Sequence, residues 1–101
     1  MRRIVTFLAC FALASASAAC ASPADEYCEA KCDCQNCSNN QFDECLIVYQ
    51  ADEDIADAYG CSRQFEDRHF CILDRYECAF GVFDEGVLRC GNERDDLNRC
   101  R

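Results

Sequence analysis

Two pairs of cysteines in this chain share one spacing: Cys61 and Cys71 are ten residues apart, and so are Cys90 and Cys100. The residue numbers of the outer pair, Cys61 and Cys100, and of the inner pair, Cys71 and Cys90, have the same sum, 161. In an antiparallel helical hairpin, residues at one level along the axis have a constant index sum. Disulfides across both pairs would therefore pin one hairpin at two levels, ~15 Å apart at the rise of a helix. Its turn would fall between Phe80 and Gly81. A bond within either arm is disfavoured, because ten residues of helix hold the two Cα atoms far beyond the ~7 Å a disulfide tolerates.

The N-terminus has the pattern of a secretory signal peptide. Arg2 and Arg3 are followed by an apolar run from Ile4 to about Ala14 and by small residues from Ser15 to Ala21. The run is shorter than the ~20 apolar residues a spanning helix needs. Ala16-Ser17-Ala18 and Ala19-Cys20-Ala21 both fit small-x-small cleavage sites, so 18 to 21 residues are expected to be removed. The expected organisation is a signal over 1–19 and a single domain over 20–101. Ser17-Ala18-Ala19-Cys20 resembles the lipobox of bacterial exported lipoproteins, with Ser17 where that pattern carries Leu. The resemblance implies a lipidated Cys20 as the first mature residue.

Cysteine parity bears on the same point. After Cys20 come Cys28, Cys32, Cys34, Cys37, Cys45, Cys61, Cys71, Cys78, Cys90 and Cys100, an even set of ten that can close five disulfides. An unmodified Cys20 would add an odd thiol in an oxidising compartment. Lipidation of Cys20, or cleavage after Ala21, restores parity. The expected location is therefore the cell envelope or the extracellular space.

A single domain of about 80 residues has a marginal core. A native disulfide typically contributes ~2–4 kcal/mol by restricting the unfolded chain, so cross-links can replace missing burial. Without Arg2 and Arg3, eight basic residues stand against nineteen acidic ones, a net charge of −11. That balance argues against nucleic acid and against anionic lipid surfaces. It leaves a protein or cation partner of unknown identity, with membrane contact only through an anchor at Cys20.

The local patterning is helical. Ser22 can cap a helix from Pro23 to about Asp33, with Asp25 and Glu26 at its positive end. Cys34 to Asn40 reads as a loop. Asn40 can cap a second helix in which Phe42, Cys45, Leu46, Tyr49, Ala56 and Tyr59 recur at helical spacing, with Gly60 as its stop. Leu46 to Tyr49 could alternatively form a short strand. Ser62 can cap a third helix carrying Phe65, His69, Ile72, Tyr76 and Phe80, with Cys71 and Cys78 on one face. A fourth runs from about Asp84 to Cys100, with Val87, Cys90 and Leu97 inward, an Asp95–Arg99 pair, and a break near Gly91 recapped by Asn92. The expected fold class is all-α, a small disulfide-rich bundle of three or four helices.

The doubled C-x9-C spacing resembles the twin C-x9-C helical hairpins of coiled-coil-helix-coiled-coil-helix proteins. That resemblance covers about 40 residues and implies the pairs Cys61–Cys100 and Cys71–Cys90; Cys78 lies outside it. Cys34-Gln35-Asn36-Cys37 is a C-x-x-C, but no strand–helix setting of a redox site surrounds it. Cys32, Cys34 and Cys37 have the chemistry of zinc ligands, yet thiols exported with the chain are expected in disulfides. Asp52, Asp54 and Asp57 lack the sixth-position glycine of a calcium loop. His69 is the only histidine, and it is read as packed, with no nucleophile motif beside it. No catalytic residue, cofactor or metal ligand is assigned. The expected role is that of an exported acidic structural or interaction module. A secreted effector or inhibitor is the first alternative, and a thiol-disulfide redox protein using Cys34 and Cys37 the second.

Overall fold

The computed structural model describes residues 21–101. The expected signal segment and the expected lipidation position, Cys20, lie outside the described residues. Four helices and one small antiparallel sheet follow in order: α1 (Pro23–Gln35), α2 (Asn39–Ala58), α3 (Ser62–Arg75), β1 (Glu77–Ala79), β2 (Val82–Asp84) and α4 (Gly91–Cys100).

Helix α1 starts where Ser22 and Pro23 place it. Ser22 Oγ accepts the Asp25 N–H at 3.2 Å, and the Asp25 carboxylate accepts the Ser22 N–H at 3.3 Å. This reciprocal box satisfies two amide donors that the first turn leaves without a partner. Asn36 adopts a left-handed conformation (φ 56°) and ends the helix two residues later than the sequence reading. The chain then enters α2 almost at once. Ser38, rather than Asn40, is its cap, in a second box with Gln41. The stretch Leu46 to Tyr49 lies inside this helix. Gly60 has φ 72° and turns the chain out of α2, a conformation that glycine adopts without steric cost.

Helix α3 begins after Cys61, which has no side-chain cap bond. Ser62 does not cap it; its hydroxyl donates to Asp57 at 2.8 Å and ties the corner to α2. The helix ends at Arg75, not at Phe80. Tyr76 turns to an extended ψ of 156°, and β1 and β2 form a hairpin with register Ala79↔Val82, Cys78↔Phe83 and Glu77↔Asp84. Phe80 (φ 55°) and Gly81 (φ 75°) make its two-residue turn. Two positive φ values suit the twist of paired strands. The all-α reading is thus completed by a two-stranded sheet, and Cys78 leaves the Cys71 face to become a strand residue. Helical spacing continued through Tyr76 and Phe80 by coincidence: Phe80 is fully exposed rather than inward.

Every pair in that sheet register has the same index sum as the two cysteine pairs, 161. One symmetry therefore runs from the turn to the outer disulfide, although the arms change from strand to helix on the way. Helix α4 starts only at Gly91, with Cys90 as its cap in place of Asn92. Residues 87–90 form a turn, preceded by Gly86 at φ 81°. Val87 is exposed, not inward, and Arg99 pairs with Asp96 instead of Asp95.

The core lies where α1, α2 and α3 meet, and α4 adds Leu97. Ala24, Tyr27 and Cys28 enter from α1, Tyr49 and Ala56 from α2, and Phe65 and Ile72 from α3. It is a core of aromatic rings and sulfur: Tyr27 stacks on Tyr49 at 4.1 Å, and Phe83 meets the Tyr27 ring edge-on at 5.7 Å. Aromatic pairs of this kind add ~0.5–1.5 kcal/mol beyond their burial. No helix among the described residues is long and apolar enough to cross a membrane.

Candidate functional site

All ten cysteines of the described residues are in disulfides: Cys28–Cys45, Cys32–Cys37, Cys34–Cys78, Cys61–Cys100 and Cys71–Cys90. Cys28–Cys45 joins α1 to α2, Cys32–Cys37 closes the end of α1 onto the turn after it, and two bonds hold the α3–α4 pair. Cys34–Cys78 joins the two halves across 44 residues of chain. The C-x-x-C does not close on itself. Cys32 and Cys34 are two residues apart on α1 and so point to nearly opposite sides. Cys32 meets Cys37 in the following turn, and Cys34 faces the hairpin. Cys34 and Cys37 are therefore bonded to other cysteines and not to each other.

His69 occupies a polar seam in the core. Its exposure is 2%, yet both ring nitrogens have partners: the Tyr49 hydroxyl lies 2.8 Å from Nδ1, and Glu26 Oε1 lies 3.0 Å from Nε2. A carboxylate only accepts. In the neutral ring the proton is therefore on Nε2, which donates to Glu26, and Nδ1 accepts from Tyr49. The chain Tyr49–His69–Glu26 links α2, α3 and α1.

Beside it, the Tyr27 hydroxyl donates to Glu85, whose other oxygen accepts from Arg68 at 3.1 Å. These residues border a cleft of about 460 Å³ that also presents Lys31 and Glu44. The Lys31 ammonium sits 5.9 Å above the Tyr27 ring. Burial pushes the Tyr27 phenol well above the usual tyrosine range, helped by its hydrogen bond to Glu85 and by that carboxylate's charge. Burial raises the Tyr49 phenol in the same direction, partly offset by Arg68.

The seam satisfies buried polar groups and ties three helices to one another. Its members Tyr27, Arg68 and Glu85 are absent from the sequence reading, and Tyr49 entered it only as an apolar helical position, since nothing in their spacing brings 58 residues of chain from Tyr27 to Glu85.

Asp52, Asp54 and Asp57 lie in helical backbone along α2, not around a loop. Among the described residues, no group of three or more His, Cys, Asp or Glu side chains is arranged to hold a metal ion. No family model, no curated protein and no solved structure matches the chain.

Proposed function

We propose that the chain is an exported, acidic interaction module whose task is to present a rigid surface, in a form tethered to the envelope through a lipid at Cys20. The observation that carries this reading is the pairing of all ten cysteines of the described residues around a core of ten buried hydrophobic residues. A fold so dependent on cross-links belongs to an oxidising compartment. Fixed surfaces bind with less entropy lost on ordering than flexible ones. A secreted effector or inhibitor is the same molecule without the tether.

The test uses protein purified from its natural envelope or medium. Intact mass is expected to show loss of the first 19 residues, a diacylglycerol-sized addition at the new N-terminal Cys20, and no titratable thiol without reduction. An N-terminus at Ala19 with an unmodified Cys20 would remove the tether. Retention of Met1 with reduced thiols would overturn export itself.

A further inference from the structure

Helix α2 is apolar on two sides, and only one of them is used. Its inward side carries Phe42, Cys45, Tyr49 and Ala56, packed in or against the core. On the opposite side Ile47, Ala51, Ile55 and Tyr59 follow at steps of four residues, with Val48 and Ala58 beside them. Residues so spaced line up along one face of a helix. Ile47 is 70% exposed, Val48 58%, Ile55 45% and Tyr59 65%. Single exposed apolar residues are ordinary, but a continuous face ~18 Å long is the pattern of an interaction surface.

The charge around the face identifies what fits it. Helix α2 carries Asp43, Glu44, Asp52, Glu53, Asp54 and Asp57 and no basic residue. Glu44 heads the apolar face, Asp43 and Asp54 border one edge, and Asp52 borders the other. None of the six carboxylates has a salt bridge among the described residues. The acidic groups of the α3–α4 half do find arginines: Glu85 with Arg68, Asp84 with Arg89, Asp96 with Arg99. A second copy of this chain would bring carboxylates against carboxylates, which is destabilising.

We infer that the outward face of α2 docks a basic amphipathic α-helix of a partner protein. Its apolar stripe lies on Ile47, Val48, Ala51 and Ile55, and its Lys or Arg residues meet the bordering carboxylates. This is helix-on-face recognition read through anchors at steps of three and four. The small side chains of Ala51 and Ala58 allow the two backbones to approach closely. The inference rests on the interaction reading above and names the partner's chemistry.

The test measures binding of a Leu/Lys helical peptide with leucines on one face, beside a scrambled peptide of identical composition. The one-face peptide is expected to bind at least about tenfold tighter than the scrambled one, and to weaken as salt rises. Ile47→Asp and Ile55→Asp are expected to abolish that advantage while leaving the circular dichroism spectrum and the five disulfide pairings unchanged, which reports an intact fold. Equal binding of both peptides, or no effect of Ile55→Asp, would overturn the inference and leave only attraction to an acidic surface. Dimerisation lost on Ile55→Asp would overturn it in favour of a second copy. A photo-crosslinking residue placed at Ile55, or at the remote Leu88, in the full chain in its natural setting separates the two levels. Crosslinks from position 55 to a basic helical segment support the inference, and to any other segment oppose it. Crosslinks from position 88 alone would keep the interaction reading and sink this face. Crosslinks from neither would sink both.

Discussion

The α1–α2 half and the α3–α4 half of this molecule have the same formula, two antiparallel helices and two internal disulfides, but opposite electrostatic strategies. Residues 21–60 carry ten acidic side chains and one basic one, Lys31; residues 61–101 carry nine acidic and seven arginines. In the second half, arginines neutralise neighbouring carboxylates. Arg89 shows how: its Nε donates to the Arg75 carbonyl at 3.0 Å, and its guanidinium lies 3.3 Å from Asp84. That half uses charge internally to hold its hairpin against α3. The first half leaves most of its negative charge facing solvent, around an apolar helix face. Cross-links make this tolerable, since a fold stapled covalently withstands self-repulsion that a small core alone could not. The difference separates a clamp from a presenting surface.

The largest expected effect comes from cutting the one covalent tie between the halves. Replacing Cys34 and Cys78 together by Ser removes a bond across 44 residues, worth about 4 kcal/mol in the chain-entropy treatment. Denaturant unfolding followed by tyrosine fluorescence is expected to show that loss and a transition that is no longer single. An unchanged midpoint would mean that the aromatic core alone docks the halves.

Replacing Cys61 and Cys100 tests the clamp from inside. That bond spans 39 residues, but Cys71–Cys90 already shortens its effective loop to about 20, so the loss is about 3 kcal/mol. Hydrogen exchange is expected to quicken at the free ends of α3 and α4 and not at β1–β2. Quickening in the strands would break the idea of an independent inner staple.

His69→Leu strikes the seam where the halves meet. It leaves the buried Tyr49 hydroxyl without its partner, at a cost of ~1–3 kcal/mol. His69→Gln, which can still offer an acceptor and a donor, is expected to recover part of it. Equal loss in both variants would show that ring packing, not hydrogen bonding, matters there.

The same seam gives a pH signature. Tyr27 and Tyr49 have folded-state pKa values raised by burial. Their contribution is complete below the ordinary tyrosine value, ~10, and is lost as pH rises above it, because the unfolded chain then releases protons that the fold retains. An alkaline loss of stability is expected, smaller in Tyr27→Phe. A flat stability profile to high pH would contradict the buried hydrogen-bonded phenols. Asp84 shifts the other way. The Gly86 N–H, at 2.8 Å, and Arg89 hold its carboxyl below the usual range, so its small contribution is present above the ordinary carboxylate pKa and fades as pH falls through the lowered one.

The smallest effect is expected at the turn. Phe80 holds a positive φ that costs a non-glycine residue ~1–2 kcal/mol, and asparagine accepts it better. Phe80→Asn is expected to raise stability by up to about 1 kcal/mol, read as a small increase in the denaturant midpoint. No increase would mean that the exposed ring is held by contacts with its own hairpin.

Much of the second half was legible because its two arms are equal. Cys61, Cys71, Cys90 and Cys100 repeat one interval on both sides of a centre, so a constant index sum located the turn and both bonds. The first half has no such equality. Cys28 and Cys32 are four apart, while Cys45 and Cys37 are eight apart, because Cys37 lies in the turn beyond α1. The signal that was available there is local: Ser38-Asn39-Asn40-Gln41 is a capping-box pattern, and it marks the start of α2 better than Asn40 does.

The sequence by itself determined where most of the helical chain lies, the cap of α1, the acidic balance and the symmetric clamp, because these follow from intervals of a few residues or from a symmetry of the numbering. Tertiary structure decided the rest. Helical periodicity ran on through Tyr76 and Phe80, but the strand hairpin prevailed, with Cys78 bonded to Cys34 and Phe83 set against Tyr27 and Tyr76. Four consecutive apolar residues, Leu46 to Tyr49, put apolar side chains on more than one side of α2. Only the packing of α1 and α3 on one side showed which face stayed open. Pairings such as Tyr27 with Glu85 arise from the docking of the two halves. Docking is a property of surfaces that exist only after the helices have formed, and no local interval encodes it.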